Sequence, residues 1–393
     1  MTDLALSGLP RADLPLAGLR VLDFAQFLAG PVAALRLADL GAEVIKIERP
    51  GVGDLCRSMV VNDQRLDGDS LVFHTFNRGK KSVAADLKAP EDLARVKALI
   101  ETADVMIHNF RPGVMERIGL DYETVQALNP RLVYGAVSGY GADGPWKDKP
   151  GQDLLVQSLS GIAWLNGNDG DGPVPTGFAM LDVATAGQLV QGILACLVRR
   201  GVSGKGGLVE VDLMSAAIDM TFEQFTCFLN DDAGQPRRHA QGNANPYQPA
   251  PYGVYETADG HMALAMAPLT TVADLLDCPE IAGFGQDQAF VRLDEIKAVV
   301  AGVLVTQPTQ HWLDILEPAG LWCAPVLDWP GFVATEGFAA LDPVQVIRTK
   351  GGREAKTSRC PIRIDGRMLR NPAGGPALGA DTAAVFGTVP APA

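Results

Sequence analysis

One carboxylate stands alone in a long apolar segment of this chain. Residues 177–194, GFAMLDVATAGQLVQGIL, contain Asp182 as their only charged residue. A carboxylate in apolar surroundings must be hydrogen-bonded, paired or protonated. Two interpretations follow: Asp182 caps the start of a helix, or it is kept for chemistry, either nucleophilic attack or proton transfer.

Several basic residues fall in the first half of an otherwise acidic chain. They are Arg49, Arg78, Lys80, Lys81, Lys88 and Arg117. Scattered basic residues most often form a solvated surface. In a βαβ protein, however, ligands bind where strand ends and helix starts converge, and several cations there would suit a ligand with phosphates at several positions.

The segments that carry these residues alternate between strand and helix patterns. GLRVLDF (18–24) and AEVIKIE (42–48) are short apolar runs on either side of a helical pattern closed by Gly41, and the alternation continues to residue 140. It predicts a parallel, doubly wound α/β sheet. Apolar residues at helical spacing predict a further helix over 183–200.

The second half of the chain changes in composition. Residues 230–253 are rich in Pro, Asn and Gly, which is typical of a linker. GVYETADGHMALAM then predicts a β-hairpin, and helical patterns follow near 270–278, 291–306 and 308–317. Together they predict a small second domain.

Composition excludes several classes of function. The net charge of −13 disfavours nucleic acid and anionic membranes as partners. The six cysteines and five histidines are dispersed, so neither a metal site nor a disulfide framework is expected. No signal peptide, long apolar run, G-x-G-x-x-G or phosphate-binding loop is recognisable, which predicts a cytoplasmic location and leaves the ligand unassigned by motif.

Four segments carry a likeness to a known family. They are GLRVLDFAQFLAGPVAALRLADLGAEVIKIERPGVGD, FNRGKKSVAADLK, NFRPGVMERIGLDYETVQALNPRLVYGAVSGYGADGP, and FAMLDVATAGQLVQGILACLVRR with the GKGGLVEVDL that follows. In this order they resemble the class III CoA-transferases, of the formyl-CoA transferase and carnitine CoA-transferase type. The resemblance implies a Rossmann-like large domain, residues 1–225 and 325–393, and a smaller α+β domain with its linkers, residues 226–324. It also implies an interlocked homodimer.

The resemblance assigns the chemistry to Asp182. In such enzymes the matching aspartate attacks an acyl-CoA thioester and passes through a mixed anhydride and an aspartyl-CoA thioester before a free carboxylic acid takes over the CoA. CoA is then a substrate, with no tightly bound cofactor. The apolar surroundings of Asp182 agree with this role, because desolvation strengthens a carboxylate nucleophile and excludes water from the activated intermediates.

The resemblance also implies a set of CoA contacts. Arg49 matches a residue that contacts the adenine and ribose of CoA, and Lys88 and Arg117 match residues that contact its phosphates. Asn109 and Phe110 match residues along the length of the ligand. The residues that match the thioester end are Gln26, Phe27 and Leu28. Arg78, Lys80 and Lys81 match less closely. Formyl-CoA transferase has Gln at the position of Leu28 and a glycine-rich loop where this chain has GNANPYQP, which disfavours formate and oxalate as substrates.

Two other functions stay open. The α-methylacyl-CoA racemases of the same superfamily have a G-H-D sequence, because moving an α-proton between opposite faces needs two acid–base groups. In this chain the corresponding segment is PGQDLLVQSLSG, in which Gln152 replaces the histidine of G-H-D and Asp153 retains the aspartate. Both residues are expected in the substrate pocket. Gln152 favours a transferase over a racemase. A CoA-binding protein without activity is the third possibility.

Overall fold

The structure, a computed structural model, describes residues 13–232 and 234–387. The chain forms two compact units within these residues. We call them the large unit, residues 13–156, 179–216 and 342–387, and the small unit, residues 157–178 and 217–341.

A six-stranded parallel sheet is the centre of the large unit. Its strands are β1 Arg20–Asp23, β2 Glu43–Glu48, β3 Lys81–Ala84, β4 Val105–His108, β5 Val133–Ser138 and β6 Gly207–Asp212. They lie in the order β3-β2-β1-β4-β5-β6, and every neighbouring pair is parallel. This is the strand order of the doubly wound dinucleotide-binding fold. The predicted parallel α/β sheet is confirmed.

Helices cover both faces of this sheet. The main ones in this part of the chain are α1 Ala29–Asp39, α2 Pro90–Thr102, α3 Tyr122–Leu128, α4 Asp153–Leu159 and α5 Met180–Ser203. Helices α1 and α5 pack on each other and on the strands. On the other face, Leu22 and Phe24 of the β1 segment join a core cluster with residues of α2 and α3, because alternate strand residues point to opposite faces.

The strong apolarity of α5 has a structural use. By length and composition alone, Met180–Ser203 is able to cross a membrane, a feature that the sequence analysis did not single out. In the fold, its Leu181, Leu189 and Ile193 are completely buried, and the helix packs against α1, β5 and β6. One side of α5 therefore belongs to the core of the large unit, whereas Val183, Val198 and Val202 are exposed.

The small unit is built around its own core. Helix α6 Leu213–Met220 follows β6 and passes from the large unit into the small unit at residue 217. Helix α7 Phe222–Leu229 comes next, and an antiparallel sheet comprises β7 Gly253–Thr257, β8 Gly260–Leu264 and β9 Cys323–Pro325. Helices α8 Leu269–Leu275, α9 Leu293–Leu304 and α10 Thr309–Leu316 supply the buried partners Val272, Ile296 and Leu313. The predicted hairpin and three helices are confirmed within one to three residues.

Residues 157–178 lie with the small unit, although the sequence analysis assigned them to the large domain. The reason is a set of buried donors. Arg238 donates hydrogen bonds to the carbonyl oxygens of Asn166 (2.6 Å) and Gly172 (2.9 Å), and Asn243 donates to that of Gly167 (2.8 Å). Backbone carbonyl groups that are removed from water need hydrogen-bond donors. Here the donors come from a segment about 70 residues away in sequence.

The remaining elements are short and complete the large unit. They include the helices Leu71–Phe76, Val114–Ile118 and Thr382–Phe386, and the hairpin Val344–Arg348 with Glu354–Ser358. The C-terminal segment meets the open edge of the sheet, where Asp381 accepts a hydrogen bond from the Ser82 amide (2.9 Å) and Thr382 Oγ1 accepts one from the Ala84 amide (2.9 Å). Edge strand β3 is therefore capped by the chain's own C-terminal part.

Candidate functional site

Asp182 is the third residue of α5, not the residue before the helix. The pattern predicted a helix from residue 183, whereas the structure begins it at Met180. The first turn is held by Asp153, whose Oδ2 accepts hydrogen bonds from the backbone amides of Leu181 (2.8 Å) and Asp182 (3.0 Å). Asp153 thus satisfies two of the amides that a helix start leaves unpaired, and Asp182 is not the cap.

The environment of Asp182 disfavours its charged form. Burial and, to a smaller extent, the nearby charge of Asp153 together raise the pKa of Asp182 to about 7. In the part of the chain that the structure describes, the Asp182 side chain accepts no hydrogen bond that would offset these two effects. A carboxylate with a raised pKa is a stronger base and a better nucleophile once ionised.

Four of the predicted CoA residues meet at one cavity. A cavity of about 260 Å³ lies at the carboxyl ends of β1, β2 and β3. Its lining includes Gln26, Arg49, Lys88 and Phe110. Parallel strands end at a common edge, so loops that follow different strands converge there. A lining that combines polar and apolar side chains suits a ligand that carries both phosphates and a ring.

The Asn109 side chain holds the loop that follows β1. Its Oδ1 accepts a hydrogen bond from the Gln26 amide (2.8 Å), and its Nδ2 donates to the Gln26 carbonyl (2.7 Å). The amide of Asn109 is thereby committed to the loop after β1. Asn109 holds a predicted contact residue in position, while its neighbour Phe110 lines the cavity.

In the loop after β1, each residue from Ala25 to Phe27 has a backbone group that is hydrogen-bonded to a side chain from another segment. Lys46 Nζ donates to the Ala25 carbonyl (2.6 Å), and the Phe27 amide donates to Asp54 Oδ1 (3.0 Å). Phe27 has a φ of 64°, a conformation that non-glycine residues adopt at a cost of about 1–3 kcal/mol. Its ring is 45% exposed, so the strained residue presents an aromatic side chain outward. Half-buried Leu28 follows and leads into α1.

Lys46 and Asp54 are site residues that sequence analysis missed. Lys46 is almost fully buried, pairs with Asp54 (2.9 Å) and Asp23 (3.6 Å), and lines the cavity together with Asp54. A lysine in the middle of the apolar run AEVIKIE was the available signal, since a central parallel strand is buried on both faces and a charge there needs partners.

Three of the predicted cations form ion pairs within the fold. Buried Arg78 pairs with Asp39 (2.8 Å), and buried Lys80 donates to Asp23 Oδ2 (2.8 Å). The more exposed Lys81 pairs with Glu43. Buried charges are stable only when they are paired, and these two partners consume the positive charge that the sequence suggested for phosphates. The match of Arg78, Lys80 and Lys81 to the CoA contacts stays a prediction, and the buried ion pairs of Arg78 and Lys80 argue against it.

The other predicted residues lie apart from this cavity. Arg117 is exposed on the helix Val114–Ile118 and is not part of the lining. Gln152 is exposed, whereas Asp153 beside it is only 4% exposed and turned to the start of α5. Within residues 13–232 and 234–387, no group of three His, Cys, Asp or Glu side chains is placed to hold a metal ion.

The chain belongs to CoA-transferase family III, whose sequence profile matches residues 16–382. The enzyme class is thereby a family III CoA-transferase, and the resemblance found in the sequence is confirmed.

Two relatives illustrate the range of this family. An acetyl-CoA:oxalate CoA-transferase from Acetobacter aceti is 35% identical over 329 residues, which cover 80% of this chain and 81% of that protein. A succinate–glutarate CoA-transferase from Agrobacterium fabrum is 38% identical over 265 residues, covering 66% of this chain and 65% of that protein.

Solved structures agree in fold. Rv3272 from Mycobacterium tuberculosis superposes with a TM-score of 0.81 at 29% identity, covering 94% of this chain and 98% of that one. A CAIB/BAIF family protein from Brucella suis gives a TM-score of 0.78 at 29% identity, covering 95% and 99%.

Proposed function

We propose that this enzyme transfers CoA from an acyl-CoA donor to a free carboxylic acid through covalent intermediates on Asp182. The observation that carries the proposal is the state of the Asp182 carboxylate. It is partly buried at the start of α5, is raised in pKa to about 7 and accepts no hydrogen bond within the described residues. A carboxylate with only a structural role would be paired with a cation or exposed to solvent in this position.

The reaction begins with attack on the donor. A carboxylate oxygen of Asp182 bonds to the thioester carbon, the C–S bond breaks, and CoA leaves as the thiolate. The product is a mixed anhydride between Asp182 and the donor acyl group. The CoA thiolate then attacks the aspartyl carbon of that anhydride, which releases the donor acid as its carboxylate and leaves an aspartyl-CoA thioester.

The second half repeats these steps with the acceptor. The acceptor carboxylate attacks the aspartyl thioester carbon and expels the CoA thiolate, which forms a second anhydride. The thiolate attacks the acceptor acyl carbon, so that the new acyl-CoA leaves and the Asp182 carboxylate is regenerated. No proton is consumed or released, and no cofactor is needed beyond the CoA that is exchanged.

The cavity at the ends of β1–β3 is proposed to receive CoA. Arg49 would lie toward the adenine and ribose, Lys88 would meet a phosphate, and Phe110 would pack along the ligand. The loop Ala25–Leu28, held by Lys46, Asp54 and Asn109, would then border the thioester end. Its rigidity suits a site that must align a thioester carbon with a nucleophile.

The proposal extends to a homodimer. Helix α7 leaves Phe222, Phe228 and Leu229 exposed by 68%, 40% and 64%. An exposed apolar group of this kind is typical of a surface that is covered by a partner. Sedimentation velocity at micromolar concentration measures the assembly, and a monomer there would contradict this part of the proposal.

Covalent trapping tests the reaction. The enzyme incubated with an acyl-CoA should gain the mass of CoA at Asp182, and hydroxylamine should release CoA as the free thiol and leave an aspartyl hydroxamate at residue 182. Turnover of Asp182→Asn at the wild-type rate would overturn the proposal. Asp328→Asn is the matched control, because Asp328 caps the exposed helix Trp329–Val333 and should change neither the adduct nor turnover.

The alternatives give different outcomes in the same assays. A racemase would exchange the α-hydrogen of a branched acyl-CoA with deuterated water in the absence of an acceptor acid. A binding protein would retain CoA without turning over any acid. A panel of mono- and dicarboxylic acids with succinyl-CoA and acetyl-CoA, read by mass spectrometry of the new thioesters, identifies the substrate pair.

A further inference from the structure

Asp153 links the starts of two helices in the large unit. It is the first residue of α4, and its Oδ2 accepts the backbone amides of Leu181 and Asp182 in the first turn of α5, 28 and 29 residues further on. The carboxylate is 4% exposed. A buried side chain that bonds the amide of the reacting residue itself controls where that residue lies.

A close approach of two glycines fixes Asp153 against the central sheet. Gly139 follows β5 and Gly151 precedes α4, and a Cβ added to Gly139 would lie 2.4 Å from the Gly151 Cα. No side chain fits between these two segments. The Gly139 carbonyl also accepts a hydrogen bond from the Met214 amide (3.1 Å) at the start of α6. The glycine contact therefore fixes the start of α4 against the end of β5, and Asp153 joins the start of α5 to it.

The arrangement puts two carboxylates side by side. Asp153 is the charged group that acts on Asp182 within residues 13–232 and 234–387, and its effect opposes ionisation of Asp182. The amides at a helix start normally favour an anion nearby. Here the backbone amides of Leu181 and Asp182 donate to Asp153, so they do not stabilise the charge of the Asp182 carboxylate.

We propose that Asp153 is a positioning residue for Asp182, one that fixes the first turn of α5 and uses its negative charge to favour the acylated form of Asp182 over the free carboxylate. The proposal rests on the function proposed above and adds a driving force to it. When Asp182 bonds to the thioester carbon and CoA leaves as the thiolate, Asp182 becomes an uncharged anhydride. The repulsion from Asp153 then disappears, and it returns only when the free carboxylate is regenerated.

Three variants separate position from charge. Asp153→Asn keeps an oxygen that accepts hydrogen bonds but removes the charge. Asp153→Ala removes both. Asp121→Asn is the control, because Asp121 caps α3 in the same way, through the Thr124 amide (2.9 Å), but at a helix that carries no proposed reacting group.

The readouts are the pH profile of acylation and the level of the CoA adduct. Asp153→Asn should move the acidic limb of the profile down by about one pH unit and lower the equilibrium adduct about tenfold, since one pKa unit corresponds to a factor of ten. Asp153→Ala should show both effects and a lower Tm. Asp121→Asn should leave the profile and the adduct unchanged.

Failure of this inference is distinct from failure of the proposed function. A wild-type enzyme without any adduct overturns the proposed function. A wild-type enzyme with an adduct, whose level and pH profile Asp153→Asn leaves unchanged, overturns the role of Asp153 alone. Carbon-13 NMR of labelled aspartate measures the Asp182 titration without turnover, and an unchanged titration in Asp153→Asn would also contradict the effect of charge.

Discussion

The side chain of Asn109 bonds both backbone groups of Gln26. Oδ1 accepts from the Gln26 amide at 2.8 Å, and Nδ2 donates to its carbonyl at 2.7 Å. The two residues are 83 positions apart and follow neighbouring parallel strands, β1 and β4. An asparagine that the family resemblance points to as a ligand contact is thus the clamp of the loop that borders the candidate CoA cavity.

Asn109→Ala should weaken both the fold and CoA binding. Two hydrogen bonds contribute about 1 kcal/mol each, and the Gln26 backbone loses both partners. We expect a free energy of unfolding lower by about 1–3 kcal/mol and a higher KM for acyl-CoA, measured by urea titration and steady-state kinetics. Asn230→Ala is the control, since the Asn230 side chain donates to the Thr226 carbonyl at an exposed helix end, outside the loop after β1. An unchanged KM in Asn109→Ala would show that the loop is held without this clamp.

Arg49→Ala and Lys88→Ala should each raise KM for acyl-CoA with little change in kcat. Both side chains are exposed at the lip of the cavity, and a charged hydrogen bond contributes about 1.5–3 kcal/mol, which is roughly tenfold to a hundredfold in affinity. The increase should shrink at high salt, because exposed charges are screened. Lys205→Ala, an exposed lysine outside the cavity, should keep the wild-type KM. A fall in kcat alone would argue against a binding role.

Arg78→Met should destabilise the protein without affecting CoA binding. Removing one partner of a buried ion pair costs up to about 3–5 kcal/mol. The loss should fall in the lower part of this range, because buried Asp39 keeps its pair with Arg36 (3.1 Å). Chemical denaturation measures the loss, and KM at a temperature where the variant is folded should match the wild type. Lys81→Ala, whose pair with Glu43 is partly exposed, should cost less than about 1 kcal/mol. A higher KM in Arg78→Met would restore this residue to the phosphate contacts.

Asp182→Asn should be more stable than the wild type at high pH. The unfolded chain ionises Asp182 near 3.8, whereas the folded protein retains the proton up to about pH 7. The folded state therefore binds more protons in this window, and the stability that Asp182 confers falls as pH rises through it. Asn carries no charge at any pH, so the Tm difference should be near zero at pH 4 and favour the variant at pH 8.5. A constant difference across this range would mean that Asp182 ionises normally.

Local patterns predicted most of the architecture. Alternating strands and helices predicted the parallel sheet, since each apolar run had the length and flanking turns of a buried strand. Asp182 was found because a charge is conspicuous in an apolar segment. Arg49, Lys88, Gln26 and Phe110 were assigned to CoA by the family resemblance. Parallel topology explains why they line one cavity, because the loops that carry them follow strands whose carboxyl ends meet at one edge.

The start of α5 could not be located from local sequence. A helix start is usually recognised by a capping residue a few positions away, but here the cap comes from Asp153, 28 residues upstream. The pattern therefore suggested a helix from residue 183 and left Asp182 as either a cap or a nucleophile. Contact between distant segments separates the two interpretations, because it shows that the capping position is already taken.

The amino-acid sequence by itself determined the parallel α/β fold, the isolated carboxylate and the set of basic residues, because apolar periodicity and residue type are local properties. Tertiary structure decided which charges are available. Arg78 and Lys80 are paired inside the fold, the Asn109 side chain bonds a backbone loop, and Asp153 bonds the amides at the start of α5. The physical reason is that burial requires every polar group to find a partner, and partners distant in sequence are selected only by the folded arrangement.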